Sequence, residues 1–147
     1  MPRYDARIQT PTDPASAFAY LSRFDRAQEW DPGVAEGTML GDGPVGLGSR
    51  FRLVVRFLGR SLPLDYEVVD FSASERIVLR AETGAIRSTD TITFTADGPG
   101  TLVHYSAELD AKGFARLADP FLAVVFRRIG DRAAAGLRAH LASVPSS

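Results

Sequence analysis

Hydrophobic and polar residues alternate along much of the middle of the chain. Phe51, Leu53, Val55 and Phe57 place an apolar side chain at every odd-numbered position of the run 51–57, and Arg50, Arg52 and Arg56 occupy even-numbered ones. This alternation predicts a β-strand with one buried face and one solvated face. The same alternation recurs in four later runs, at 62–68, 77–82, 86–95 and 103–109. Because only short turns separate these runs, successive strands are predicted to pair antiparallel.

The residues before this region predict a strand, two short helical segments and a weaker strand. Positions 3–10 alternate apolar and polar side chains, which indicates a half-buried first strand. The prolines at 11 and 14 end that strand and begin a helix, because the apolar residues that follow have helical spacing. A short helical turn is expected near residues 26–30, and a weak strand over 34–40.

The segment from Phe114 to Val144 has the pattern of a long amphipathic helix that ends before Pro145. Asp119-Pro120 is an N-cap and first-turn pair, so the helix begins or kinks there, and we expect 114–141 to be mainly helical. On a 3.6-residue period one side is charged and the other is apolar. The predicted apolar stripe is Phe114, Ala118, Phe121, Leu122, Val125, Ile129, Ala133, Gly136 and Leu137.

The order of these elements defines an α+β fold. About seven strands form a curved antiparallel sheet with one apolar face, and the long C-terminal helix carries the matching stripe to pack across the concave side. Two short helices lie between the first strand and the rest of the sheet. With 147 residues and no linker or internal repeat, the chain is predicted to be a single domain over 1–147.

The composition argues against several classes of function. The chain has no cysteine, which removes disulfides and thiol chemistry. Its formal net charge is −1 and its arginines are scattered, so no nucleic-acid surface is expected. No apolar run reaches the ~18 residues of a membrane span, and residues 1–3 lead into polar alternation instead of a signal peptide. We therefore expect a soluble, cytoplasmic protein without stable membrane insertion.

Two features that could bind a cofactor have simpler interpretations. Gly41, Gly43 and Gly46 match the dinucleotide-binding glycine pattern, but an alternating strand follows them where that motif needs a helix. They are interpreted as turn glycines in a loop. The two histidines, His104 and His140, are not accompanied by cysteines or by a histidine–carboxylate cluster. Neither a cofactor nor a metal ion is predicted.

Several short motifs occur in an order that resembles a known superfamily. They are Phe18-Ala19-Tyr20-Leu21, the run 29–34 (EWDPGV), the run 43–51 (GPVGLGSRF), the run 66–71 (YEVVDF), Gly100-Thr101-Leu102-Val103 and the long terminal helix. With them the chain resembles, over nearly its whole length, the START-like (SRPBCC) superfamily with its helix-grip fold, in particular the polyketide cyclase/dehydrase and lipid-transport branch. The resemblance implies a deep cavity between sheet and helix that holds an apolar or amphiphilic small molecule. Members of the superfamily share no fixed catalytic residues, so no catalytic residue is assigned.

Inward-facing side chains of the sheet and helix are the candidate ligand-binding residues. Trp30 could rim the cavity mouth, although a single tryptophan is more often a core or hinge anchor. The candidates are Trp30, Phe51, Leu53, Val55, Tyr66, Val68, Leu79, Ser88, Asp90, Ile92, Tyr105, Phe121, Val125 and Ile129.

Asp90 is the unusual member of this set. The alternation of its strand turns it inward with Ser88, where a carboxylate is costly unless it is paired or protonated. With a tyrosine partner the pKa of Asp90 should rise, and with an arginine partner it should fall. Asp90 either fixes helix to sheet or serves as a polar anchor or general acid/base for a ligand. The candidate partners are Tyr66, Tyr105, Arg128 and Arg132.

Three functions are consistent with this pattern. The first is binding or carriage of a hydrophobic or amphiphilic small molecule, lipid-like or polyketide-like. The second is a cyclase or dehydratase that uses the same cavity, with Asp90 and a tyrosine moving protons. The third is a protein-interaction module without a ligand. Because no convincing catalytic set is present, the binding function is favoured over an enzyme.

Overall fold

A seven-stranded antiparallel sheet forms the frame of the protein in a computed structural model that describes residues 3–57, 59–112 and 119–142. The strands are β1 (Arg3–Thr10), β2 (Val34–Leu40), β3 (Arg50–Phe57), β4 (Arg60–Ser72), β5 (Arg76–Glu82), β6 (Ile86–Asp97) and β7 (Gly100–Ala111). The helices are α1 (Pro14–Ser22), α2 (Ala27–Trp30) and α3 (Asp119–Leu141), with a 3₁₀ turn at Phe24–Arg26. This is the predicted α+β helix-grip arrangement.

The strand order is β1-β7-β6-β5-β4-β3-β2, so β2 to β7 form a meander and β1 pairs with β7. The predicted alternation is confirmed in β4, β5 and β6, where inward side chains such as Tyr66, Leu79 and Ile92 are buried. In β4 the pairing with β5 shifts between Val68 and Asp70, a bulge of the kind that bends a sheet. The bulge turns Phe71 toward the core, where it packs against Phe18.

The helix α1 begins as its sequence predicts. Pro14 occupies its first turn, and the side chain of Asp13 accepts a hydrogen bond from the Ser16 backbone N–H at 3.1 Å. Its buried Phe18 makes edge-to-face contacts with Phe71 and Phe94 at 5.3 and 5.2 Å. One end of the sheet's inner face is therefore filled by α1.

The helix α3 lies on the inner face of the sheet. Its Leu137 and Leu141 belong to the same buried cluster as Phe51 and Leu79, whereas Arg52 and Glu67 point away from that cluster. The described helix begins at Asp119, and the predicted helical positions 114–118 lie outside the described residues.

Two glycines let α3 approach its neighbours closely. A Cβ on Gly136 would come within 1.8 Å of the Trp30 carbonyl oxygen, and one on Gly130 within 2.5 Å of the Tyr4 ring. Tyr4 also donates a hydrogen bond from its hydroxyl to Asp131 Oδ1 at 2.6 Å. With α3 held in this way, Ala133 and Leu137 of the predicted stripe pack against the core, and the buried positions also include Ala134 and Leu141, which the predicted stripe did not contain.

Candidate functional site

A cavity of about 140 Å³ lies between α3, β1, the turn after α2 and the inner face of the sheet. Among the described residues, α3 contributes only apolar side chains and a glycine to its wall, and the sheet contributes both apolar and polar groups. The α3 members are Phe126, Ile129, Gly130, Ala133, Ala134 and Leu137. A mostly apolar enclosure with a few convergent polar groups is the usual form of a small-molecule site.

Half of the candidate ligand-binding residues lie together on the wall of this cavity. They come from the end of α2, from β3, β4, β6 and β7, and from α3. These residues are Trp30, Val55, Tyr66, Ser88, Asp90, Tyr105 and Ile129.

The other candidates lie elsewhere. Five inward side chains of the sheet are at most 2% exposed and belong to the packed core: Phe51, Leu53, Val68, Leu79 and Ile92. These five side chains point inward like the cavity residues, but α1 and the 3₁₀ turn help to fill the space beside them. In this packed region the Phe24 ring lies against the Tyr66 ring, with their centroids 5.0 Å apart. On α3, Val125 is half-buried and is not among the lining residues, while the side chain of Phe121 lies outside the described part of the chain.

Several lining residues were not among the candidates. Tyr4 follows the inward alternation of β1 with Ala6 and Ile8, so the pattern of that strand could have found it. Phe126 can be assigned to the cavity wall only once the rotation of α3 about its axis is known. Asp31 lies in the turn after α2, and turns carry no periodicity that would indicate where a side chain points.

A chain of hydrogen bonds links the polar groups of the cavity. Tyr105 donates from its hydroxyl to Asp90 Oδ2, and the hydroxyl groups of Tyr66 and Ser88 are bonded to each other at 2.9 Å. Ser88 is also hydrogen-bonded to Asp90. The Trp30 and Tyr105 rings meet edge to face, with their centroids 5.8 Å apart and an interplanar angle of 71°. These contacts hold Asp90 and Tyr105 in one arrangement at the cavity wall.

Burial dominates the electrostatics of Asp90, which is only 7% exposed. Loss of hydration raises the pKa of Asp90 to about 7, the hydrogen bonds from Tyr105 and Ser88 offset part of the rise, and the charge of Asp31 adds to it. Arg128 and Arg132 are exposed, and the ion pairs of the described residues do not include Asp90. The sequence allowed either a tyrosine or an arginine as the partner of Asp90, and in the structure the partner is Tyr105.

Both tyrosines of this network remain protonated at neutral pH. Burial raises the pKa of Tyr66 and that of Tyr105 well above the usual value of 10.0, and the nearby Asp90 charge adds to each rise. Tyr105 therefore acts as a hydrogen-bond donor to Asp90 over the whole range in which the carboxyl group titrates.

Asp31 is a second carboxyl group on the same cavity. Its Oδ1 accepts a hydrogen bond from the Gly33 backbone N–H at 2.8 Å. Burial raises the pKa of Asp31, and this hydrogen bond offsets part of the rise. The described ion pairs do not include Asp31 either.

Within the described ranges, no three His, Cys, Asp or Glu side chains come together as a metal site would require. None of the described helices combines the length and the apolarity that crossing a bilayer demands.

Comparison with known proteins identifies the family. The family model described as "Polyketide cyclase / dehydrase and lipid transport" matches residues 1–142. No match is found among curated protein sequences.

Solved structures share the fold at low sequence identity. A START superfamily protein from Mycobacterium smegmatis is 15% identical with a TM-score of 0.77, covering 95% of this chain and 96% of that one. The protein TTHA0849 from Thermus thermophilus is 17% identical with a TM-score of 0.77, covering 95% and 97%. The Zhui aromatase/cyclase from Streptomyces sp. R1128 is 12% identical with a TM-score of 0.77, covering 95% and 92%. With the family match and the observed helix-grip fold, the chain belongs to the polyketide cyclase/dehydrase and lipid-transport family of the START-like superfamily.

Proposed function

We propose that the protein binds or carries a hydrophobic or amphiphilic small molecule, lipid-like or polyketide-like, in the cavity beneath α3. The observation that carries this proposal is the cavity itself, whose apolar walls surround one hydrogen-bonded group of polar side chains. The family description, which joins polyketide chemistry with lipid transport, supports the same class of ligand.

The size of the cavity limits what it encloses. Its volume of about 140 Å³ is close to the about 150 Å³ of an engineered apolar cavity that binds benzene. A single ring or a short alkyl segment therefore fits inside. A longer ligand must extend out of the cavity or displace α3.

The polar groups give the ligand an orientation. Tyr66, Ser88 and Tyr105 present hydroxyl groups on one wall, and the opposite wall, formed by α3, is apolar. A ligand with a polar end and an apolar body satisfies both walls, whereas a pure hydrocarbon leaves the polar wall without a new partner.

The test is a fluorescence titration with the uncharged dye N-phenyl-1-naphthylamine, without added metal or nucleotide. We expect saturable binding that a chelator does not change. Ala107→Phe places a ring in the cavity and should abolish binding, while Ala73→Phe, at an exposed turn between β4 and β5, should bind as the parent does. Thermal melts must show that both variants are folded. Unsaturable binding, or full binding by folded Ala107→Phe, would refute the proposal.

A second candidate is acid–base catalysis on an enolisable carbonyl compound, as in a cyclase or dehydratase. It is favoured by the pairing of Tyr105 with Asp90, a carboxyl group whose pKa of about 7 suits proton transfer near neutral pH. In this role Asp90 moves the proton, and Tyr105 redirects its hydroxyl hydrogen from Asp90 to the substrate oxygen. Asp31, on the same cavity, is placed to act as a second base.

Exchange of the α-protons of 2-tetralone in D₂O, followed by NMR, tests this candidate. Catalysis should produce exchange above the buffer rate, and Asp90→Asn should reduce it by about 10²–10⁴-fold. Asp42→Asn, on an exposed loop, should exchange at the parent rate. Exchange at the buffer rate, despite measurable binding of the ketone, would leave the protein as a binder only.

A further inference from the structure

The acidic side chains on the cavity wall restrict the chemical class of the ligand further than the apolar side chains do. Asp31 and Asp90 come from separate parts of the chain, the turn after α2 and the strand β6, yet both line the one cavity. They are close enough for the Asp31 charge to oppose ionisation of Asp90. Neither carboxyl group takes part in a described ion pair, so their charges are not compensated by a neighbouring cation.

The other groups around Asp90 do not supply a positive charge to the interior. From β6, β7 and β4 it faces the hydroxyl groups of Ser88, Tyr105 and Tyr66, and β5 places apolar Leu79 opposite it. From β1, Tyr4 reaches the cavity edge with its hydroxyl donated to Asp131 of α3. The α3 side chains on the cavity wall are apolar, as given above.

Arg56 is the one cationic residue among the described lining residues, and it lies at the rim. Its side chain is exposed and its Nη1 donates to the Pro32 carbonyl oxygen at 2.8 Å. Arg56 and exposed Arg132 also line a shallow groove on the outer side of the Asp31 turn. Arg132 is therefore outside the cavity, and the Arg56 guanidinium is exposed and already bonded to the Pro32 carbonyl oxygen, so the acidic groups of the interior have no dedicated cation among the described lining residues.

Aromatic rings accompany these carboxyl groups. Trp30 and Tyr105 meet edge to face beside Asp90, and Tyr66 lies on the adjacent wall. Ring faces attract cations, and the attraction strengthens where water is excluded. Two uncompensated carboxyl groups and three rings around an apolar space together form an enclosure that matches an organic cation.

We propose that the cavity selects an amphiphilic amine, whose ammonium head lies between Asp31 and Asp90 and whose ring or short alkyl body packs against α3. This inference rests on the proposed binding function and narrows its ligand class. An anionic amphiphile such as a fatty acid is disfavoured, because its carboxylate would enter beside two acidic groups with no interior cation.

Proton linkage follows from this arrangement. When the ammonium group enters a molecule in which Asp90 is still protonated, Asp90 releases that proton to solvent and becomes the counter-ion, so the protein and ligand together lose up to one proton. Because the pKa of Asp90 is about 7, the amine should bind more tightly as pH rises through that value. Affinity should fall again only when the amine itself deprotonates, near about pH 10.

Three probes of nearly equal size separate charge from shape: 2-phenylethylamine, 2-phenylethanol and phenylacetate. Calorimetric titrations would be run at about pH 6 and about pH 8, on either side of the Asp90 pKa of about 7. At the higher pH we expect the amine to bind at least about tenfold more tightly than the alcohol, and phenylacetate more weakly than either. At the lower pH the advantage of the amine should shrink.

Neutral isosteres identify the groups responsible. Asp90→Asn should remove the pH dependence and lower the preference for amine over alcohol by about tenfold, and Asp31→Asn should also lower that preference. The matched control is Asp42→Asn, an exposed loop carboxyl outside the cavity, which should retain the parent preference.

The outcomes distinguish the inference from the function on which it rests. Equal affinities for amine and alcohol, or an amine preference that survives in both cavity variants, would overturn the amine inference while leaving ligand binding intact. Failure of all three probes and of the dye would overturn the binding function as well.

Discussion

Asp90→Asn should become increasingly stabilising relative to the parent protein as pH rises from about 4 to about 8, by about 4 kcal/mol in total. In the parent, the folded-state pKa of Asp90 is about 7, against an ordinary value of 3.8. A carboxyl group with a raised folded-state pKa favours folding fully below its unfolded pKa, and this contribution is lost as pH rises through the folded-state value. Asparagine resembles the protonated acid and carries no such loss.

The local hydrogen bonds should survive this substitution. The asparagine oxygen can accept from Tyr105 as Asp90 Oδ2 does, and its amide group can donate to Ser88. Urea unfolding at several pH values measures the difference in the free energy of unfolding between variant and parent. A difference that does not change with pH would show that burial does not raise the pKa of Asp90.

Asp65→Asn provides a control of opposite sign. The hydrogen bond and charge of Arg52 hold the pKa of Asp65 below its usual range, with Arg52 Nε at 2.7 Å from Asp65 Oδ1. The stabilising contribution of Asp65 is therefore present above its unfolded pKa and lost as pH falls through the lower folded-state value. The variant should be slightly less stable than the parent at neutral pH, because this ion pair lies at the surface.

Leu141→Ala and Ile129→Ala should have clearly different costs although both lie on α3. Leu141 is fully buried in the packed core, and its carbonyl accepts hydrogen bonds from the hydroxyl groups of Thr10 and Thr12 at 3.1 and 3.4 Å. Its truncation should cost about 2–5 kcal/mol. Ile129 is half-buried against the cavity, so part of its surface has no packing partner to lose, and its truncation should cost less than about 2 kcal/mol.

Denaturant unfolding of the two variants at one pH measures this contrast. Equal losses would mean that the space beside Ile129 is packed as tightly as the core around Leu141. The pair also bears on function, because Ile129→Ala should enlarge the cavity and improve binding of a bulkier dye, while Leu141→Ala should not.

The order of the elements and the inward phase of the strands could be predicted from the sequence. Along a strand successive side chains point to opposite faces, so the burial of Tyr66, Ser88 and Asp90 follows from apolar neighbours in the same strand. The short turns imply the antiparallel meander for the same local reason. The strand pattern alone therefore predicted that Asp90, one of the two carboxyl groups of the cavity, points inward.

Periodicity could not show which inward residues would line a cavity. Phe51 and Tyr66 are directly paired on β3 and β4, yet only Tyr66 is among the lining residues. The difference depends on where α1, the 3₁₀ turn and α3 cover the sheet, which is set by contacts between residues far apart in sequence. The rotation of α3 depends on Gly130 against Tyr4 and on Gly136 against the Trp30 carbonyl oxygen.

The electrostatic character of the site was also decided by tertiary structure. From the sequence, Asp90 could have met either a tyrosine or an arginine, and these partners predict opposite pKa shifts. The register of β6 and β7 and the hydroxyl of Tyr105 resolve the choice, while Asp31 joins the cavity from a turn with no periodic signal. A strand pattern determines which face a side chain occupies; the partners it meets there, and so its charge at neutral pH, depend on distant segments that the fold brings together.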